Sequence, residues 1–374
     1  MSHRSSQKLL FAAILAVCAV LAAVIFAMYP SGFSAHSRQQ QMPYLTGVSL
    51  AGAEFGPEIP NGEKRGKFGK EYTYPIAELT PGYVSPKYFL GKGMNTFRLP
   101  IRWERLQHAL GEPLDEKEVA RLLLTVKKLQ ELGAWVIVDL HNYARYEETP
   151  IGTEKVPTST LADVWKRMAV HFKDSPRVIF GLMNEPYDIE SKVWAEAANL
   201  AIAAIRETGA RNLIFVGGNT FSGTMHWYDH GNAETMLTIK DPLDRIVFEG
   251  HLYLDAGSAG QSDYCIGPQI GVKRVEPFLR WLKENNKVGF VGEFGGGANP
   301  RCVTAIAELA ALLGKNRDII LGWAYWAAGP WWPDEYFSSI EPKDGQDAPQ
   351  LKALMPHIVQ AAGPTIPPSP KEAN

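Results

Sequence analysis

The stretch Trp135-Val136-Ile137-Val138-Asp139-Leu140-His141-Asn142-Tyr143 decides the fold. It is a short apolar run rich in valine and isoleucine, as a parallel strand buried on both faces should be, and it ends in polar residues. Just upstream, Val119, Leu122, Leu123, Val126 and Leu129 form a stripe at helical spacing. Asp115, with Glu118 three residues later, can cap that helix, and Gly133 can end it. A helix packed against the strand that follows it is half of a strand-crossover unit.

Working outward, similar runs recur at intervals of roughly 30–45 residues. They are Leu45–Leu50, Asn95–Leu99, Val178–Met183, Leu213–Val216, Arg245–Phe248, Val288–Val291 and Ile319–Trp323, which with Trp135–Leu140 make eight. A second helical stripe, Val272, Val275, Phe278, Leu279 and Leu282, again precedes a strand. The alternation is α/β, and eight strands predict a (β/α)8 TIM barrel. No repeat, charge run or internal Pro/Ser linker divides it. The expected organisation is an N-terminal segment over residues 1–41, a single catalytic barrel domain over 42–363 and a disordered Pro-rich tail over 364–374 (Pro364, Pro367, Pro368, Pro370).

The chain has 374 residues, 45% of them hydrophobic, with a formal net charge of −2. Such a balance describes an enzyme-sized folded protein and gives no electrostatic reason to expect nucleic acid or another polyanion as partner. From Leu9 to Tyr29 run 21 uncharged, mostly apolar residues, with Arg4 and Lys8 before them. As a helix this run reaches roughly 30 Å, enough to span a bilayer. It exceeds the core of a cleavable signal, and Phe33-Ser34-Ala35 is a poor cleavage site, so an uncleaved anchor is the expectation and a cleaved signal the alternative. Either way the barrel is exported, to the cell envelope or periplasm if anchored and to the medium if cleaved. With Cys18 inside the apolar run, Cys265 and Cys302 remain, either as a disulfide or as two unrelated buried thiols.

In a parallel barrel the active site forms where the strands end, so the residues after each run carry the chemistry. They are Glu54, Arg98, His141 with Asn142 and Tyr143, Asn184 with Glu185, Asn219, His251 with Tyr253, Glu293, and Trp326. Two carboxylates facing each other across such a mouth are what glycosidic cleavage requires: one protonates the leaving oxygen and the other attacks the anomeric carbon. Singly, a strand-end glutamate is more often an ion pair or a cap. Placed against the other strand ends, Glu185 and Glu293 are the best pair. Glu54 and Glu249 are rivals, and Asp139, inside a strand, reads as a buried hydrogen-bond partner. His141 and His251 could ligate zinc, but no His-x-His or His-x-x-x-His pair accompanies them, so neither a metal nor a cofactor is expected.

At these residues the chain resembles glycoside hydrolase family 5, and within it a subfamily of endo-β-1,4-glucanases (cellulases). The resemblance runs from about Gly47 to Pro342. It is carried by Gly52-Ala53-Glu54-Phe55-Gly56, Thr96-Phe97-Arg98-Leu99-Pro100, Val138-Asp139-Leu140-His141-Asn142-Tyr143, Asn184-Glu185-Pro186, Gly292-Glu293-Phe294-Gly295-Gly296 and Trp326-Ala327-Ala328-Gly329-Pro330-Trp331-Trp332. It implies Glu185 as acid/base and Glu293 as nucleophile of a retaining enzyme. Arg98 and Tyr253 would hold the nucleophile, and Asn184 would bind the sugar 2-hydroxyl. His141 and His251 would line the cleavage site, with Asn142 beside them, and Trp326 would be the sugar platform. The same resemblance implies a Cys265–Cys302 disulfide.

Two departures bear on substrate. Phe221 and Met225 stand where relatives commonly have tryptophans, which could weaken or reshape an outer sugar subsite, and Leu252 replaces a usual glutamine. The expected function is a monomeric endo-β-1,4-glucanase acting on cellulose or a related β-glucan. A specificity for mannan, xylan or mixed-linkage glucan is the alternative, and a non-hydrolytic glycan-binding barrel a more distant one. Trp103, Trp227, Trp331 and Trp332 are candidate cleft platforms or core residues.

Overall fold

The computed structural model of the chain describes residues 40–55 and 72–367. Eight strands form a closed barrel: β1 (Leu45–Leu50), β2 (Thr96–Ile101), β3 (Trp135–Leu140), β4 (Val178–Gly181), β5 (Ile214–Gly217), β6 (Ile246–His251), β7 (Gly289–Glu293) and β8 (Ile320–Ala328). Every neighbouring pair, including β8 with β1, is parallel. Helices α1 (Ser85–Gly91), α2 (Glu116–Glu131), α3 (Ser159–Phe172), α4 (Ser191–Glu207), α5 (Asn232–Met236), α6 (Ile270–Glu284), α7 (Pro300–Lys315) and α8 (Pro349–Leu354) follow the strands in turn. This is the expected (β/α)8 TIM barrel.

Most strands end a few residues beyond their apolar runs, whereas β4 stops at Gly181, before Met183. β6 and β8 continue through Glu249-Gly250-His251 and through Ala328, past the point where the run breaks. Backbone pairing persists into the mouth, where inward side chains need not be apolar.

The helix ahead of β3 starts as its sequence requires. The Asp115 carboxylate accepts a 2.7 Å hydrogen bond from the Glu118 amide. Glu118 does not reach back to close a capping box; its carboxylate takes the hydroxyls of Tyr72 and Tyr74 at 3.0 and 2.9 Å. The apolar side of α2 (Val119, Leu122, Val126, Leu129) joins the main core between strands and helices. A second apolar cluster fills the barrel floor, with Ile137, Ile179, Phe215, Val247 and Phe290 packed on Met42 and Ile366.

Met42 and Ile366 belong to a feature that corrects the expected tail. Gln40–Pro43 pairs antiparallel with Ala362–Ile366, so Pro364 lies in a strand and not in a disordered segment, and Gln40 and Gln41 are not spacer. Proline is tolerated because a two-stranded pair has edges where no N–H is needed. Burial of Met42 and Ile366 under the barrel offsets the entropy of ordering the two segments. Pro368, Pro370 and the apolar segment from Leu9 to Tyr29 lie outside the described residues. Among the described residues no helix is long and apolar enough to cross a membrane.

Cys265, in the loop after β6, is bonded to Cys302 in the first turn of α7. The disulfide ties two loops of the catalytic face together across 37 residues of sequence. Closing a loop of that length restricts the unfolded chain by about 4 kcal/mol. Replacing both cysteines with alanine is therefore expected to lower unfolding stability by about 2–4 kcal/mol in urea titrations.

Candidate active site

The twofold alternation of side chains along a strand builds the site in layers. On β3 the inward residues are Ile137 in the floor cluster, then Asp139, then His141 at the strand end; on β6 they are Val247, Glu249 and His251. Arg98 from β2 rises through the middle of this stack and is fully buried. Gly181 on β4 and Gly292 on β7 leave room for the Asp139 and Glu249 side chains that flank it. Each layer is more polar than the one below it, and the uppermost lies at the C-terminal mouth, where βα loops form the sites of such barrels.

Arg98 is the hub. Its Nη1 lies 2.7 Å from Glu293 Oε1, and its Nη2 donates to Asn184 Oδ1 at 2.8 Å. Nη2 also pairs with Asp139 at 3.1 Å, and Nε lies 3.2 Å from Glu249. The Tyr253 hydroxyl donates to the other oxygen of Glu293 at 2.6 Å. Glu185 follows β4 on a loop, with φ of +44°, a left-handed backbone conformation costly for a residue with a Cβ. That turn aims its carboxylate at His251, whose Nδ1 lies 2.8 Å from Glu185 Oε1. Oxygens of Glu185 and Glu293 come within 4.8 Å of each other. Asn184 Oδ1 is occupied by Arg98, while its buried Nδ2 has no partner among the described residues and is a donor ready for a ligand.

The electrostatics divide the two glutamates. Burial raises the Glu185 pKa above the ordinary range, the Glu293 charge adds to this, and the bond from His251 only partly offsets it. Burial also works against charge on His251, but Glu293, Glu185 and Glu249 together hold it up at about 10, so it is an imidazolium at neutral pH. His141 goes the other way: burial pushes it down to about 3. Neutral His141 therefore donates a hydrogen bond from its Nδ1–H to Asp139, 2.8 Å away. Asp139 is raised to about 7 by burial, against the pull of Arg98 and with the Glu249 charge adding.

Aromatic rings wall the mouth. Trp326 stacks on His141 with centroids 5.5 Å apart, and its indole N–H donates to the Tyr336 hydroxyl at 3.2 Å. Trp332 stacks on Tyr336 at 3.9 Å. On the other side Tyr187 stacks on Phe221 at 4.4 Å, and Phe221 is about half exposed. Tyr143 stands among the strand-end residues that the sequence singles out, whereas Tyr187 and Tyr336 do not. Tyr187 directly follows Pro186, and that adjacency was the available signal.

Arg98, His141, Asn184, Glu185, His251, Tyr253, Glu293 and Trp326 thus converge on one site. Asn142 does not. Its side chain turns away to accept from the Trp103 amide at 2.8 Å and to donate to Glu104 at 2.8 Å. Asn219 ties its own loop to Asn232, and Glu54 caps the Gly52 amide at 2.7 Å. Burial pushes Glu54 up to about 8. Leu252 packs into the main core, and Trp103, Trp227 and Trp331 are buried. Of the four outer tryptophans only Trp332 is partly open to the mouth.

Glu185, His251 and Glu293 lie close enough to share a cation. The chemistry of the set opposes it: Glu293 already takes donors from Arg98 and Tyr253, and a guanidinium and an imidazolium face the same space. Because Asn142 serves the loop, Asn142→Ala is expected to cost about 1–3 kcal/mol in urea unfolding by stranding buried polar groups. The pH limits of activity should stay in place, since none of its partners is a catalytic carboxylate.

The sequence profile of Cellulase (glycosyl hydrolase family 5) matches residues 87–329. Endo-β-1,4-glucanase B of Emericella nidulans is 39% identical over 301 residues, covering 80% of this chain and 86% of that protein. The crystal structure of an endo-β-1,4-glucanase from Xanthomonas axonopodis pv. citri is 42% identical, with a TM-score of 0.77, and covers 84% of this chain and 98% of that one. The structure of XacCel5A in complex with cellopentaose is likewise 42% identical, with a TM-score of 0.78, over 84% and 99% of the two chains. A family match across most of the barrel, and relatives above 30% identity over most of both chains, have one consequence: this chain belongs to glycosyl hydrolase family 5.

Proposed function

We propose that the protein is an endo-acting, retaining β-1,4-glucanase in which Glu293 is the nucleophile and Glu185 the acid/base. The observation that carries the mechanism is the carboxylate pair itself. Its oxygens lie within 4.8 Å, in keeping with the separation of about 5–5.5 Å that leaves no room for a water between the second carboxylate and the anomeric carbon. Glu293 accepts from a guanidinium and a phenol, which hold its carboxylate in place for attack. Glu185, raised by burial, keeps its proton for the leaving oxygen and afterwards takes one from water.

Sugar binding follows from what is left open. The face of Trp326 is a stacking platform, and Asn184 Nδ2 offers a hydrogen bond to a hydroxyl beside the reacting carbon. The endo-β-1,4-glucanases among the relatives, and the cellopentaose held by one of them, support a β-1,4-glucan as substrate. Phe221 and Met225, both exposed in the loop after β5, are where an outer subsite would differ and where mannan, xylan or mixed-linkage glucan would gain or lose. The apolar run from Leu9 to Tyr29 supports export, with the barrel outside the membrane as an anchored or released enzyme.

Digestion of carboxymethylcellulose, lichenan, xylan and glucomannan, with product sizing, tests the substrate; absence of β-1,4-glucan cleavage would overturn it. Proton NMR of fresh product is expected to show the β-anomer first, and an α-anomer would rule out retention. Glu293→Gln should abolish turnover. Glu185→Gln should lower kcat/KM by about 10²–10⁴-fold on polysaccharide while sparing kcat/KM, though not kcat, for an aryl cellobioside whose leaving group needs no proton. Activity should fall as pH rises through the Glu185 pKa, so the alkaline limb of the kcat/KM profile should lie above the ordinary glutamate range.

A further inference from the structure

Glu249 is a buried acid that the double displacement does not use. It sits on β6 two residues before His251, so both side chains point into the barrel. Its Oε1 lies 3.2 Å from Arg98 Nε and 3.3 Å from His251 Nε2. One carboxylate oxygen therefore faces both cations of the site, the one holding Glu293 and the one holding Glu185. The neighbouring strand is shaped around it: a Cβ on Gly292 would overlap Glu249 Oε1, so the residue before Glu293 must be bare.

We propose that Glu249 is a positioning residue which, through His251, fixes the oxygen of Glu185 that carries the catalytic proton. The inference rests on the double displacement proposed above. With Glu249 accepting at Nε2, His251 keeps hydrogen on both ring nitrogens, and Nδ1 is always a donor to Glu185 Oε1, 2.8 Å away. The acid proton of Glu185 then resides on Oε2, free to meet the leaving oxygen. Without a charge beyond Nε2, His251 could become neutral with a bare Nδ1. It would then accept the Glu185 proton and hold it away from the substrate.

The surroundings agree. The charged groups facing Glu249 are Arg98 from β2, Asp139 from β3 and His251 from its own strand, with Glu293 of β7 behind Arg98. Burial opposes its charge, but Arg98 and His251 hold the Glu249 pKa below the ordinary range. It is thus a permanent negative charge beside His251.

Glu249→Gln tests this cleanly, because the amide oxygen can still accept from His251 Nε2 and lie beside Arg98 while the charge is removed. The alkaline limb of kcat/KM should move about one unit toward acid, since losing a nearby negative charge weakens proton binding by the His251–Glu185 pair. The kcat/KM on cellopentaose should fall at least about tenfold, while that on a dinitrophenyl cellobioside, which needs no acid, should stay within about twofold. Glu249→Asp, which keeps the charge, should leave the limb near its wild-type position. Equal losses on both substrates, or an unmoved limb, would overturn the proposal and leave Glu249 as structural support only. Nitrogen-15 NMR of the wild-type enzyme gives a reading independent of the variants: His251 should carry both ring protons at pH 7, and a neutral ring with bare Nδ1 would overturn the proposal. Inactivity of the wild type on every β-glucan would instead refute the parent reading, and the NMR result would still stand.

Discussion

A guanidinium with no access to water is the constraint around which this barrel is arranged. Arg98 is fully buried, and an unpaired charge at that depth would cost several kcal/mol. It is tolerated because Glu293, Asp139, Glu249 and the Asn184 carbonyl surround it. Each of those groups comes from a different strand or strand end, so closing the barrel and satisfying the arginine are one event. The nucleophile is thereby oriented before any substrate arrives, which is where preorganised electrostatics gain their effect.

The remaining site geometry is secondary to that cluster. Four carboxylates, Asp139, Glu185, Glu249 and Glu293, face two cations, Arg98 and His251, so not all of the acids can be ionised together. The proton falls to those least well paired, and Glu185, held by a single imidazolium, is one of them. Burial opposes charge on both histidines of the mouth, yet their states differ because their neighbours differ. His251, ringed by acids, is held charged, while His141, with Arg98 nearby, is held neutral. Loops complete the arrangement. The left-handed backbone at Glu185 and the disulfide between the loops of β6 and β7 are local costs and constraints carried by a rigid scaffold.

Much of this was legible in the chain. The eight apolar runs gave the strands, because a parallel strand covered on both faces has to be apolar throughout, as Trp135–Leu140 is apart from Asp139. The capping of α2 by Asp115 was equally readable, since it depends only on residues three apart. Pro364 misled because prolines were weighed as breakers, and the pairing that orders them comes from Gln40–Pro43, far away in sequence. Asn142 misled because a polar residue at a strand end can face the mouth or the loop behind it, and only the turn into the one-turn helix Trp103–Leu106 decides which.

The sequence by itself determined the periodicities, and with them the α/β class, the number of strands and the set of polar residues delivered to their C-terminal ends. Those are local properties, set by side chains a few residues apart. It could not determine which of those residues touch. The approach of Glu185 and Glu293 to within 4.8 Å, the four-way clamp on Arg98 and the contact of Glu249 with Arg98 all join residues of separate strands. Their distances follow from barrel register and closure, and the protonation states follow from those distances, so only the tertiary structure could divide four similar carboxylates into different roles.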